Sequence, residues 1–250
     1  LMANYIVEKG IASIVQKQLN EKNIRLMEEI KARAELEKAL KNSELHVLQS
    51  QINPHFLFNT LNTISRLALL EKADKTQEVV YSLSELLRYS LRRIDQIVTL
   101  EEEITHIKRY LTIQETRFSD RMETEFKLQP EICKARVPLL TLQPLIENAI
   151  VHGLEPKPGP GKISVEGFLE DNNVLLLVKD NGVGIPEDML RKLARMEEQL
   201  NSGSGHTTGL GLNNVHRRIQ HYFGTDYGIR INSRPAQGTT VAISFPYVVT

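Results

Sequence analysis

Cysteine is nearly missing from this 250-residue sequence, Cys133 being the only one. No internal disulfide can form and a four-thiolate zinc or iron–sulfur site is excluded, which fits a reducing compartment. Net charge is missing too, with 31 Lys and Arg against 31 Asp and Glu. No global field therefore steers the chain toward nucleic acid or anionic lipid, and any phosphate chemistry must be local. Long apolar runs are absent: stretches such as Val174 to Val178 fall far short of the roughly 20 residues that a membrane span needs. What is present, 41% apolar residues, suffices for a buried core, and the length predicts one large or two modest domains. The chain begins Leu1-Met2 with no signal peptide and reads as a fragment of something longer.

From about Gln16 to Leu48 there is no Gly or Pro, and Glu21/Arg25, Glu29/Arg33 and Glu37/Lys41 stand in the favourable i,i+4 order. One long helix is expected. Its apolar residues keep an imperfect heptad, which fits a parallel coiled coil with breaks or a solvated helical spacer. Further on, Leu45, Leu48, Ile52, Phe56, Thr63, Leu67 and Leu70 fall on one helical stripe, and Leu57, Leu61, Ile64 and Ala68 on a second. A polar strip with Gln51, His55, Asn59, Asn62 and Arg66 remains between them. After a turn at Lys72 to Lys75, a second helix again spreads its apolar residues, Val79, Val80, Leu83, Leu86, Leu87, Leu91 and Ile94, over two faces. A hairpin whose helices each bury two faces is satisfied by a dimer forming a four-helix bundle.

The helical pattern weakens around Asp95 to Val98, and Thr99-x-x-Glu102 reads as a capping box opening a helix to about Phe118. A domain boundary is expected there. Beyond it the pattern predicts a strand at Met122 to Leu128, a helix from Pro138 to Gly153 and strands at Lys162 to Leu169 and Val174 to Lys179. A helix after Pro186, another from Gly211 to Phe223, and strands at Tyr227 to Asn232 and Thr239 to Phe245 complete it. Helices and antiparallel hairpins segregate, so this half reads as an α+β sandwich of one sheet and one helical layer. Residues 155–161 and 201–208 are loops by composition.

Three short segments carry candidate chemistry. Asp180-Asn181-Gly182-Val183-Gly184 follows a strand; its glycines permit close approach of backbone to a ligand, and the Asp carboxylate can accept the exocyclic amine of adenine. The same segment also fits a plain strand-to-helix turn. Gly205 to Asn214 is a Gly-rich stretch feeding a helix whose first amides would face an anion. It is not a Rossmann fingerprint, since no strand precedes it, nor a P-loop, since no Gly-Lys-Ser/Thr closes it. In Glu147-Asn148, an amide oxygen can hold a Mg²⁺ that keeps most of its waters and bridges phosphates.

In this order the three segments resemble the ATP-binding (Bergerat-type) domain shared by histidine kinases, gyrase-type topoisomerases, MutL and heat-shock chaperone ATPases, and Gly238-Thr239-Thr240-Val241 extends the likeness. The string Asn53-Pro54-His55-Phe56-Leu57-Phe58-Asn59 chooses among them. It resembles the phosphoacceptor box of the LytS-type sensor histidine kinases, and Leu142-Gln143-Pro144-Leu145-Ile146-Glu147-Asn148 resembles their N-box; the likeness covers roughly Glu44 to Pro246. The resemblance implies a coiled-coil linker over 1–44, a dimerisation and phosphotransfer hairpin over 45–96, and a catalytic ATP-binding domain over 97–250. It implies ATP-dependent phosphorylation of His55, then transfer to an aspartate on the receiver domain of a response regulator, with ATP and Mg²⁺ as cofactors and a homodimer as the working form. Asn148 would hold the metal. Nucleotide contacts would come from Asn148, His152, Asp180, Gly182, Gly184, Gly209, Leu210, Gly211, Leu212 and Thr239.

An imidazole, with a reference pKa of about 6.5, offers a lone pair to phosphorus at neutral pH, and the rest of such a transfer is positioning and charge neutralisation. Departures from the family pattern exist. Phe56 stands where commoner histidine kinases carry an acidic residue, leaving Glu147 and Asn59 as candidates for proton handling; Asn59 also matches an amide position used for phosphatase activity. Pro144 stands where a further N-box Asn is usual. Pro54, inside a helical pattern, predicts a bend beside His55. His46, His106, His206, His216 and His221 read as surface residues. Two other readings stay open: an ATP-binding scaffold or phosphatase-dominant homologue without autokinase activity, and a chaperone-like or topoisomerase-like ATPase. The intact parent is expected in a bacterial inner (cell) membrane, with this fragment in the cytoplasm.

Overall fold

The structure, a computed structural model, describes residues 22, 27, 30, 31, 33, 54–91, 96–118, 121–191 and 210–249. It divides into two units, Leu1–Thr60 and Leu61–Thr250. Of the first stretch, Lys22, Met27, Ile30, Lys31 and Arg33 are helical and exposed; the rest of the expected coiled coil lies outside the described residues. Helix α1 runs from Pro54 to Leu70. The residues preceding Pro54, on which the expected bend depends, lie outside the described set.

Three residues separate α1 from α2, Asp74–Ser90. Lys72 takes a φ of 57°, and Ala73 N donates to Ala68 O at 2.8 Å, closing the first helix. Within the second unit, Leu61 and Ala68 of α1 and Ser82, Ser84 and Tyr89 of α2 are buried. Leu67, Leu70, Leu83 and Leu91 are exposed, so in a single chain only part of the apolar surface is covered.

Strand β1, Ile97–Thr99, pairs antiparallel with β3, Arg136–Pro138. Helix α3, Leu100–Phe118, follows it directly. Thr99 N donates to Glu102 Oε2 at 3.0 Å and Glu102 N donates to Thr99 Oγ1 at 3.2 Å, the reciprocal pair of a capping box. Leu100, Ile104, Ile107 and Leu111 form the buried stripe of this helix, each contributing roughly 1.5–3 kcal/mol by leaving water.

The main sheet has the order β2-β4-β5-β7-β6, with β2 at Met122–Leu128, β4 at Gly161–Glu170, β5 at Asn173–Asp180, β6 at Gly228–Arg234 and β7 at Gly238–Pro246. Val165 faces Val178 across β4 and β5, and Leu176 faces Ile243 across β5 and β7. These residues are buried, whereas Lys179 on the opposite face bridges Glu166 at 2.6 Å. One face is thus apolar and packed under helices, while the other carries charge. The β4–β5 turn is Asp171-Asn172, with φ of 46° and 62°, the left-handed pair that a two-residue hairpin requires.

The sheet is mixed, because β2 runs parallel to β4, and it packs against one helical layer as expected. Two expectations need correction. The helix expected from Pro138 begins only at Gln143: α4 spans Gln143–Asn148 and continues as a π turn over Ala149–Leu154. Pro138 is held in β3 opposite Ile97, Leu139 N donates to Gln96 O, and Leu140 has a φ of 57°, which no helix accommodates. The second correction is His106, which is buried rather than on the surface. Helix α5, Leu210–Phe223, buries Val215 and Ile219 against the sheet. Among the described residues no helix is long and apolar enough to cross a membrane.

Candidate functional site

In the first unit, His55 and Asn59 are exposed. They sit one turn apart, so their side chains lie on the same face of α1. The Asn59 amide nitrogen is 3.3 Å from Nδ1 and 3.4 Å from Nε2 of the ring, so the amide borders both nitrogens that could take a phosphoryl group. Phe56, next to the histidine, is 69% exposed.

In the second unit the candidate nucleotide residues converge from four elements. Asp180 ends β5, and its Oδ1 accepts from the amides of Gly182 at 2.7 Å and Thr239 at 3.3 Å. Among the described residues its Oδ2 has no hydrogen-bond partner. Burial pushes this carboxyl above its ordinary value, opposed by the two backbone amides and by Lys157. Close backbone packing frames the carboxylate. A Cβ on Gly182 would lie 2.4 Å from the carbonyl carbon and oxygen of Gly153, and one on Gly153 would lie 2.8 Å from Asp180 Oδ1. Gly184, at φ 71°, would bring a Cβ to 2.0 Å from Arg234 O. Val183 N donates to Gly153 O at 3.0 Å, tying the loop to the π turn. Ser233 Oγ accepts from Ile185 N at 2.8 Å and lies 2.9 Å from Thr239 Oγ1. Gly153 and Ser233 are parts of this site that the sequence did not single out.

Helix α4 supplies the polar pair. Asn148 Nδ2 donates to Pro144 O at 2.7 Å, a bond that does not use the amide oxygen, the atom able to coordinate a cation. The start of α5 faces it: a Cβ on Gly211 would lie 3.7 Å from Asn148 Nδ2 and 3.6 Å from Pro144 Cβ. Leu212 packs against the core, so its backbone amide rather than its side chain is what it can offer a ligand. Helix α5 begins at Leu210, and Gly209 with the preceding loop lies outside the described residues. An amide oxygen bordering a glycine and helix-terminal amides suits a Mg²⁺ shared with phosphates. His152 is exposed on the π turn beside Gly153.

Glu147 is half-buried and accepts from Gln143 Nε2 at 2.7 Å. Nearby Tyr110 keeps its proton: burial, and then the Glu147 charge, push its phenol up to about 12. His106 reaches the other end of the Gln143 amide. Of the remaining histidines, His216 accepts from Ile229 N at 3.0 Å and is half-buried, and His221 is exposed; His46 and His206 lie outside the described residues.

Comparison with known proteins finds two family models that match parts of the chain. Residues 43–122 match the family model described as "Histidine kinase", and residues 136–249 match "Histidine kinase-, DNA gyrase B-, and HSP90-like ATPase". The sensor histidine kinase YesM of Bacillus subtilis (strain 168) is 38% identical over 234 residues, 94% of this chain and 37% of the relative. BtsS of Escherichia coli (strain K12), also a sensor histidine kinase, is 31% identical over 245 residues, covering 98% and 39%. The sensor protein LytS of Oceanobacillus iheyensis is 32% identical over 240 residues, covering 96% and 39%. The chain spans a little over a third of the length of these relatives.

Proposed function

Because the chain belongs to the sensor histidine kinase family, we propose that it transfers the γ-phosphoryl group of ATP to His55 and passes it on to an aspartate on a response-regulator receiver domain. The observation that carries this is the exposed His55 imidazole with the Asn59 amide beside both of its nitrogens, in a chain that also frames a carboxylate with an open oxygen, Asp180.

In this reading Oδ2 of Asp180 accepts the adenine amine, while Gly153, Gly182 and Gly184 let the backbone pack closely enough to hold that carboxylate in place. Thr239 holds the carboxylate through its amide. His152 borders the nucleotide. Amides from Gly209 through Leu212 face the phosphates at the N-terminus of α5, and Asn148 holds Mg²⁺, which supplies charge neutralisation when bound. A ring nitrogen of His55 attacks the γ-phosphorus; a nitrogen–phosphorus bond forms, the bond to the ADP oxygen breaks, and the other ring nitrogen sheds its proton. In this reading Glu147 serves that proton or orients the reacting groups, and Asn59 steadies the ring.

The working form is a homodimer, supported by the exposed Leu67, Leu70, Leu83 and Leu91 on the hairpin helices. Residues 1–44 serve as linker, 45–96 as hairpin and 97–250 as catalytic domain, in a larger parent anchored in the bacterial cell membrane. Incubation with Mg²⁺ and γ-labelled ATP tests the reading. It predicts acid-labile, base-stable label on the parent chain and none on His55→Gln; a variant labelled at the parent's rate, or an unlabelled parent, overturns it. The exposed phenyl of Phe56 where an acid is usual favours one second reading, a phosphatase-dominant homologue, which predicts nucleotide binding without label.

A further inference from the structure

The surroundings of Glu147 contain a chain of side chains that the proposed mechanism does not use. His106, on α3, is 2% exposed, and its ring stacks on Tyr89 of α2 with centroids 4.1 Å apart and planes 21° from parallel. Its Nε2 lies 2.5 Å from Gln143 Oε1, while Gln143 Nε2 donates to Glu147 Oε1 at 2.7 Å. The Tyr89 hydroxyl donates to the fully buried Glu103 at 2.6 Å, and Glu103 also accepts from the amides of Leu140 and Leu142, the residues that lead into α4.

The directions of these bonds are forced. An ionised carboxylate only accepts, so the Gln143 amide must turn its NH₂ to Glu147 and its oxygen to His106. His106 Nε2 is then the donor. Among the described residues its buried Nδ1 has no partner, a place where a lone pair costs less than an N–H, and burial holds the ring below its ordinary protonation range. The imidazole is therefore neutral and in one tautomer. Tyr89 fixes its plane, and Glu103 fixes Tyr89 to the backbone before α4.

We propose that His106 is a positioning residue for phosphoryl transfer, fixing the Glu147 carboxylate through the Gln143 amide, with Tyr89 of the hairpin as the wall that orients the ring. This rests on the kinase reading above and assigns a role to a residue outside its motifs. Tyr89 lies on the helix that a three-residue turn joins to α1, so the relay ties the N-box carboxylate to the hairpin. A shift of α2 would loosen the ring and with it Glu147.

The test compares His106→Phe, which keeps a ring on Tyr89 and removes the donor, with His106→Gln, which returns an N–H, and with Gln143→Leu, made at a half-buried position in case His106→Phe does not fold. Each is assayed for label on His55 at varied ATP, alone and combined with Glu147→Gln. The expected result is a fall in kcat of about tenfold in His106→Phe and Gln143→Leu, with KM for ATP within about twofold of the parent. Recovery to within about threefold is expected in His106→Gln, and less than about twofold further loss when Glu147 is already Gln. An unchanged kcat in the folded variants, or a loss that persists undiminished beside Glu147→Gln, overturns the proposal while leaving the kinase reading intact. An unlabelled parent overturns both.

Discussion

Replacing Asp180 with Asn separates what this carboxylate does for the fold from what it does for a nucleotide. Oδ1 carries the structural bonds, from Gly182 N and Thr239 N, and an amide oxygen keeps both. Oδ2 becomes an NH₂ aimed at the adenine amine. One hydrogen bond to a charged acceptor, worth about 1.5–3 kcal/mol, is lost, and two donors are left facing each other at about 1–3 kcal/mol more. The sum is about 2.5–6 kcal/mol, so Kd for ATP should rise at least about fiftyfold. Inosine triphosphate, whose 6-oxo group accepts where adenine donates, should bind the variant better than ATP does, inverting the parent's preference. The fold should not suffer. Burial raises this carboxyl above its usual value of 3.8, so the folded state favours the neutral form; that advantage is present below about 3.8 and lost as pH rises through the raised value. At neutral pH the buried charge therefore opposes folding, and a neutral amide should leave Tm equal or higher. Calorimetric titration with both nucleotides and a thermal melt read all three quantities. Unchanged ATP affinity would refute the assignment; so would equal losses for the two nucleotides together with a lowered Tm, which would make the carboxylate merely structural.

Gly182→Ala puts a Cβ 2.4 Å from the Gly153 backbone, which cannot rotate away, so a cost of about 3 kcal/mol and a Tm lower by roughly 6–12 °C are expected. Gly211→Ala meets nothing closer than 3.6 Å and should melt no lower than the parent. Glu103→Gln turns one of the buried oxygens that receive Tyr89, Leu140 and Leu142 into a donor facing a donor; about 2–3 kcal/mol should be lost, measured as a lower urea midpoint. The pH response of His106 follows from its lowered pKa, caused first by burial. The stability it supports is present above its usual 6.5 and lost as pH falls below that value, because the folded state resists taking up the proton. Urea midpoints at about pH 7 and pH 5 should therefore differ more for the parent than for His106→Gln, and equal differences would refute the assignment.

Local chemistry decided which elements were legible in the sequence. Thr99 and Glu102 announce a helix start because both capping bonds are made within three residues. The Asp171-Asn172 turn is equally local, since both residue types tolerate positive φ. The helix misplaced at Pro138 shows the limit. Leu139, Leu142 and Leu145 do recur at helical spacing, but Ile97, some forty residues upstream, holds Pro138 in a strand pair and the chain turns through Leu140 before α4 can begin. Alternation along β2 likewise reports which face is buried but not which neighbour it pairs with, so the parallel β2–β4 register left no trace.

The candidate site divides along the same line. Asp180, Gly182 and Gly184 are contiguous, and their residue types state a strand end followed by a tight loop. Gly153 belongs with them only because the π turn carries it against Asp180, 27 residues away in sequence. Glu103 and His106 were missed, although both interrupt the helical face that also holds Leu100, Ile104 and Ile107, and a polar residue on a stripe that a core must cover requires a partner. The stripe identifies such a residue but not its partner, since Leu142 N and Gln143 approach from 39 and 37 residues downstream. A buried polar residue on an amphipathic face, with no motif around it, is therefore the place where a sequence points to a long-range contact without naming it.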